Sequence, residues 1–439
     1  MTTSTASDFG QARLQSVGSS RLGWKDLVFG GLLAGGSWWA STKYGQFMDV
    51  YELVILWACA AGMVFVGWLW PAMRWFSVGC GLLALAGIGL YGGQLAQAEQ
   101  SLLLKYLLSS QSAILWMCAL YAAGCLAYWA GLLLRGPTAL WAASVMTWSA
   151  TVMGMTGLLV RWYESYLISP DVGHIPVSNL YEVFVLFSLL TALFYLFYEK
   201  RYQTRSLGAF VSLVIVAAVG FLLWYTATRS AHEIQPLVPA LQSWWMKIHV
   251  PANFVGYGTF SIAAMVAFAY LIKANAENQS RRALIPLFVL GVLLCAEPLV
   301  FRRSGLPDYW AIYFGISAAV VGGILTARRR IASVLPSLEV LDDIQYRAIA
   351  IGFAFFTVAT ILGALWAAEA WGTYWQWDPK ETWALIVWLN YAAWLHLRLM
   401  KGLRGEFAAY WSLVGLLITG FAFLGVNMFL SGLHSYGQL

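Results

Sequence analysis

The sequence predicts an all-α polytopic integral membrane protein with about thirteen transmembrane helices, its N-terminus cytoplasmic and its C-terminus external. Three observations predict it. Of 439 residues, 60% are hydrophobic and only 10% charged, against about 25% charged in a soluble domain. Apolar runs of spanning length recur along the whole chain. Lys and Arg fall into alternate loops between those runs.

A span needs about 20 mostly apolar residues. Runs of that kind occupy 25–42, 51–70, 74–94, 111–134, 137–160, 180–198, 207–226, 249–272, 283–300, 309–327, 347–368, 383–400 and 408–430. Each is expected to be helical, because lipid offers no partner to an unpaired backbone amide. The weakest apolar signals are those at 25–42 and 283–300. The opening segment MTTSTASDFGQARLQSVGSS is polar and has no apolar centre, so it does not read as a cleaved signal peptide. The first run after Trp24 is expected to serve instead as an uncleaved anchor.

Orientation follows from the excess of Lys and Arg expected on the cytoplasmic side. One set of loops carries Lys200, Arg201, Arg205, Lys273, Arg281, Arg282, Arg328, Arg329, Arg330, Arg347, Arg398, Lys401 and Arg404. The alternate set holds Arg161, Arg229, Lys247, Arg302, Arg303 and Lys380. The loops 161–179, 227–248, 369–382 and 431–439 are therefore expected outside. The net charge of +6 is a topology signal of this kind, and nucleic acid is not an expected partner. The five cysteines, Cys59, Cys80, Cys118, Cys125 and Cys295, all lie in apolar runs without a Cys-x-x-Cys pair. They read as small hydrophobes, not as a disulfide framework, zinc site or redox motif.

Five histidines occur: His174, His232, His249, His396 and His434. A lone histidine at a helix end is more often a polar anchor than a ligand, so the group carries more information than any member. His249 opens one span and His434 follows the last, which puts both at the external interface. Two imidazoles from separate helix ends can fill the two axial positions of haem iron. Imidazole suits zinc and copper as well, although a zinc site usually gathers three or four protein ligands. His396 lies thirteen residues after Trp383, roughly 20 Å along a helix at 1.5 Å per residue. That depth is too great for it to share an iron with the external pair. An ionisable group so deep in the membrane is a functional candidate, the plain alternative being a neutral imidazole bonded between helices.

The segment Trp371–Trp383, WGTYWQWDPKETW, holds four tryptophans in thirteen residues. Tryptophan anchors membrane interfaces, but this density exceeds anchoring needs. Gly372 and Pro379 argue for a turn or broken helix. Indole faces can stack on a planar macrocycle, and Lys380 is placed to pair with a haem propionate or to be solvated.

This segment resembles the tryptophan-rich "WWD" signature of the haem-handling proteins of cytochrome c biogenesis. The surrounding sequence is most similar to the CcsA family (ResC, or CcsB in some bacteria) of system II. The resemblance is carried by GHIPVSNLYEVF at 173–184, LQSWWMKIHVPANFVGYGTF at 241–260 and LEVLDDIQYRAIAIGF at 338–353. It continues through WDPKETWALIVWLNYAAWLHLRL at 377–399 and LGVNMFLSGLHSYG at 424–437. It extends over roughly residues 145–438, in order. CcmC-like proteins, which share the signature, are shorter, and CcmF-like proteins are longer.

The resemblance implies that His249 and His434 are external axial ligands to haem b, bound as substrate. It implies that Trp371, Gly372, Trp375, Trp377, Asp378 and Trp383 contact that haem. It implies that His396 receives haem within the membrane, with a mate in a ResB-like partner. The implied activity is that of a holocytochrome c synthase (haem lyase) subunit, active with its partner. It joins haem through thioethers to the Cys-x-x-Cys-His segment of apocytochrome c at the outer face of a bacterial cytoplasmic membrane. Residues 1–140 form an N-terminal extension of about four spans without a histidine, and 141–439 the haem-handling domain with its external loop at 369–383. His174 is expected to be structural, and no role is expected for His232. The alternative is a haem exporter or chaperone without covalent chemistry. A secondary transporter would show inverted repeats or paired broken helices, which the sequence lacks. A membrane cytochrome b would want histidines paired across one bundle.

Overall fold

A computed structural model describes residues 22–278, 284–300, 308–430 and 432. Within them the regular structure is entirely helical. The longer helices are α1 (Trp24–Tyr44), α2 (Val50–Leu69), α3 (Ala72–Tyr91), α4 (Ser110–Leu134), α5 (Pro137–Ile168), α6 (Leu180–Tyr202) and α7 (Gly208–Arg229). They continue with α8 (Met246–Asn278), α9 (Leu284–Val300), α10 (Asp308–Thr326), α11 (Leu338–Trp371), α12 (Pro379–Lys401) and α13 (Glu406–Gly420). A π-turn, Phe421–Gly425, and a last helical turn, Val426–Phe429, follow α13.

Nine helices among the described residues are long and apolar enough to cross a bilayer, so the chain is an all-α, multi-spanning membrane protein. They are α2 through α8, α11, and α13 extended through its π-turn. The four other expected spans are also helices, but less clear ones. The apolar stretches of α9 and α10, Leu284–Glu297 and Ala311–Thr326, are short. The α1 sequence is diluted by Gly, Ser and Lys, and α12 carries Lys380, Glu381, His396, Arg398 and Lys401. Arg281, Arg282, Arg302 and Arg303 lie outside the described residues.

The chain divides into two compact units, residues 1–81 and 82–439. In the first, α2 starts on a reciprocal cap: Glu52 N donates to Asp49 Oδ1 at 2.7 Å, and Asp49 N donates to Glu52 Oε2 at 3.1 Å. Arg74 pairs with Asp26 at 2.7 Å and donates to the Gly67 carbonyl at 2.8 Å. Side chains such as Val54, Phe65 and Trp75 are exposed in this unit, as lipid-facing positions should be.

The second unit is built around α8, which packs against α6, α7, α11 and α13. Its buried side is rich in small residues, including Ala263, Ala264, Ala267 and Ala269. Small side chains let helix backbones approach closely where lipid provides no hydrophobic drive. At Gly352 of α11 an added Cβ would run into Thr259 Oγ1 and lie 2.7 Å from Phe260 Cε1. Gly352→Leu is expected to cost about 1–3 kcal/mol by overpacking, read as a lower unfolding midpoint in detergent. An unchanged midpoint would mean that α8 and α11 do not meet this closely.

Candidate functional site

The site is assembled from the N-terminal parts of α6, α8 and α12, the C-terminal part of α11 and the turns that follow α13. A cavity of ≈ 220 Å³ opens there, with His249, Asn253, Trp366, Trp375, Lys380 and Asn427 in its lining. His249 sits in the first turn of α8, where its N–H donates to the Trp245 carbonyl at 2.8 Å. Its Nδ1 lies 2.8 Å from the Ala359 carbonyl of α11. A carbonyl only accepts, so Nδ1 carries the proton and Nε2 is the basic nitrogen. Fixing one ring nitrogen in this way sets tautomer and orientation, as metal-binding histidines require. Gly363 makes the approach possible: a Cβ there would lie 2.8 Å from His249 Cε1. Trp366 meets the imidazole edge-on at 5.6 Å, and its Nε1 donates to the Ala240 carbonyl at 3.0 Å.

The tryptophan loop is a broken helix, as Gly372 and Pro379 suggested. α11 stops at Gly372, which takes a left-handed φ of 79°, a conformation that suits a residue without Cβ. Asp378 then caps α12: its Oδ1 accepts from Lys380 N at 2.9 Å, with Pro379 in the first turn. Glu381 Oε2 accepts from Gln376 N at 2.8 Å and Asp378 N at 3.2 Å. One carboxylate thus holds both the loop and the helix start, the reciprocal arrangement of a capping box. Trp377 adopts φ 59° and is exposed, a left-handed geometry unusual for a bulky residue. Its ring stands 6.0 Å from Trp375 at 87°, so these two indoles make a corner, not a flat shelf. Glu381→Ala is expected to release the loop at a cost of about 0.5–2 kcal/mol. The readout is faster proteolysis between Gly372 and Lys380, and no acceleration would contradict the assigned cap.

The structure brings together only part of the residue set expected from sequence. His249 and Trp375 line the cavity; Asp378 is buried beneath it as a cap. Trp371 is half-buried at the end of α11, and Gly372 is exposed. Trp383 packs on Phe421 at 4.3 Å and is not among the lining residues. His396 is exposed on α12. His434 lies outside the described residues, but Gly432, two residues before it, is described. A Cβ on Gly432 would run into Asp378 Oδ2 and lie 3.0 Å from Pro379 Cδ, so Gly432 itself lies against the α12 cap. Among the described residues, no cluster of three or more His, Cys, Asp or Glu could hold a bare metal ion.

His174 is buried, with Nδ1 2.6 Å from the Val172 carbonyl and Nε2 3.0 Å from Ser178 Oγ, a structural environment. His232 contributes its carbonyl to Arg161 at 2.7 Å. Trp366, Asn253, Glu381 and Asn427 were not singled out by sequence. For Glu381 the signal was present, as the Asp-Pro-Lys-Glu capping pattern. Lys380 is only partly exposed, and its amine is lowered to about 8, chiefly by burial, with Asp378 acting in the opposite direction.

Comparison with known proteins bears on this site. The family model described as "Cytochrome C assembly protein" matches residues 177–434. The Heterosigma akashiwo "Cytochrome c biogenesis protein CcsA" is 37% identical over 280 residues, covering 64% of this chain and 80% of the relative. The protein of the same description from Synechococcus elongatus is 34% identical over 320 residues, covering 71% of this chain and 92% of its own length. That from Chlorella vulgaris is 35% identical over 282 residues, covering 64% and 81%. A solved structure, "Cytochrome c Heme Lyase CcmF", aligns with a TM-score of 0.44 at 17% identity, over 72% of this chain and 48% of that one.

Proposed function

We propose, from the premise that this chain belongs to the CcsA-type cytochrome c assembly family, that it holds haem b at the cavity around His249 and presents it to apocytochrome c. The observation that carries this reading is His249 itself, an imidazole oriented through Nδ1 by the Ala359 carbonyl at a cavity that two indoles and a lysine also line. That donor set suits an iron porphyrin: one nitrogen for iron, aromatic walls for the ring, and a cation for a propionate. It suits a structural zinc site poorly, since three or four clustered ligands are missing among the described residues.

In this reading His434 supplies the second axial ligand. The passage of Gly432 against Asp378 supports it, because two further residues reach at most about 7 Å. Trp371, Gly372, Trp375, Trp377, Asp378 and Trp383 form and carry the loop over the haem. Trp375 supplies a wall, and Asp378 fixes the loop to α12. His396, exposed on α12, meets haem on its way through the membrane together with a histidine of a ResB-like partner. The apocytochrome supplies two thiols. Each S–H adds across a haem vinyl group, forming one S–C and one C–H bond with no net oxidation. The apocytochrome histidine then replaces one of this chain's axial ligands. The chain's own contribution is positioning, which removes much of the cost of a bimolecular encounter.

The topology that serves this is thirteen spans with the N-terminus cytoplasmic, which puts the His249 cavity on the outer face of a bacterial cytoplasmic membrane. Residues 1–140 are the extension and 141–439 the haem-handling domain. The deciding experiment is co-expression with a ResB-like partner and a reporter apocytochrome, followed by haem staining of the denatured reporter. Covalent stain is expected. Haem that reaches the outer face but never becomes covalent would favour the exporter instead.

Lys380 gives the reading a pH signature. Its amine is lowered to about 8, so below that pH it is protonated and attracts a propionate. Haem affinity should fall as pH rises through about 8, by on the order of 10-fold for one charge-assisted bond. Lys380→Met should weaken binding at pH 7 and flatten the profile. An equally steep profile in that variant would remove Lys380 from the site.

A further inference from the structure

We infer that the buried pair Arg161–Glu182 is a positioning device for this site, setting the distance between two loops that wall the cavity; the inference rests on the haem reading above. Arg161 is in α5 and Glu182 in the first turn of α6, with side chains only 2% and 1% exposed. Arg161 Nε donates to Glu182 Oε1 at 2.8 Å. The guanidinium then reaches past the pair: one terminal nitrogen donates to the His232 carbonyl at 2.7 Å and the other to the Glu233 carbonyl at 3.4 Å. The second oxygen of Glu182 accepts from Ser178 N at 2.9 Å and Ser178 Oγ at 2.8 Å. His174 bonds the same Ser178 hydroxyl at 3.0 Å.

Two loops therefore meet at one ion pair. The first, 169–179, ends in Val177, Ser178 and Asn179, all of which line the cavity. The second, 230–245, contains the lining residue Leu241 and runs into His249 at the start of α8. Stability alone accounts poorly for such a pair. Taking two charges out of water costs more than their attraction reliably returns, and an apolar pair of equal volume often does as well. What an apolar pair lacks is the fork that fixes two carbonyls of one loop while its partner carboxylate fixes two donors of the other. Neither residue lines the cavity, so both act through the loops and not on the ligand.

The test uses the full chain with Arg161→Lys and, separately, Glu182→Gln. Lysine keeps the charge but cannot span the carboxylate and both carbonyls, so it separates charge from geometry. Two quantities are read: backbone hydrogen exchange of 169–179 and 230–245 in haem-free protein, and haem affinity with the axial-ligand spectrum. We expect faster exchange confined to the two loops in both variants, haem affinity at least about 10-fold weaker, and partial restoration of the low-spin spectrum by added imidazole. Unchanged exchange in both variants overturns the inference, whatever haem does. So do unchanged affinity and spectrum in both variants when the parent binds haem. A parent that takes up no haem would instead overturn the functional reading, with the exchange data still deciding whether the loops are tied.

Discussion

His249→Ala should abolish the parent's low-spin haem spectrum and weaken haem binding by more than the roughly 10–100-fold that loss of a ligand's hydrogen-bond partner costs. The side chain reaches the cavity from the first turn of α8 and is tied at Nδ1 to Ala359. Its removal deletes the proposed ligand yet leaves α8 and α11 in contact along the rest of their length. The unfolding midpoint should therefore move little while the spectrum changes. The measurement is haem titration of purified protein followed by absorbance, with exogenous imidazole added to the variant. Parent and variant spectra that cannot be told apart would end the assignment of His249 to iron.

Gly363→Val should have the second-largest effect, without touching a ligand. A Cβ there would stand 2.8 Å from His249 Cε1 and 3.2 Å from Nδ1, inside ordinary contact distance. Valine adds two methyl groups at the same place. The imidazole must swing away from the Ala359 carbonyl, and with it go the fixed tautomer and direction of Nε2. We expect haem affinity to fall on the order of 10–100-fold and stability by about 1–3 kcal/mol, with Gly363→Ala intermediate. Absorbance titration and thermal unfolding separate the two effects. A valine variant with the parent spectrum would show that the ring does not depend on this gap.

The sequence made the helices legible because lipid forces every spanning backbone to bond within itself. It was less informative where helices leave the lipid. The run at 347–368 gave the apolar part of α11, whereas the helix begins at Leu338. Its extra turns carry Asp342 and Asp343, held by Arg398 at 2.5 Å and Arg347 at 2.9 Å. Polar turns stabilised by ion pairs leave no apolar signature. The same holds for α5, which runs to Ile168 past the expected 160 because Arg161, Glu164 and Ser165 are buried there.

Within the site, the local part was readable and the long-range part was not. Gly372, Asp378 and Pro379 act on neighbours in sequence, so the break before α12 could be seen in the residue string. Trp366 and Gly363 matter because α11 packs beside α8, more than a hundred residues away. Nothing in the pattern around Gly363 distinguishes it from a glycine that merely eases helix packing. Nor did the residue string show that Trp375 and Trp377 meet at a corner, the left-handed backbone at Trp377 turning one ring outward.

The capping of α12 has a mechanical side. Asp378 and Glu381 weld the tryptophan loop to one end of a continuous rod, and Arg398 clamps the other end to Asp342. His396 rides on that rod seventeen residues beyond Pro379, about 26 Å away. Azimuth is shared along such a shaft: one residue inserted midway would turn His396 by about 100° relative to the loop. The bearing of the His396 imidazole is thus geared to the tryptophan loop at the far end of the same helix.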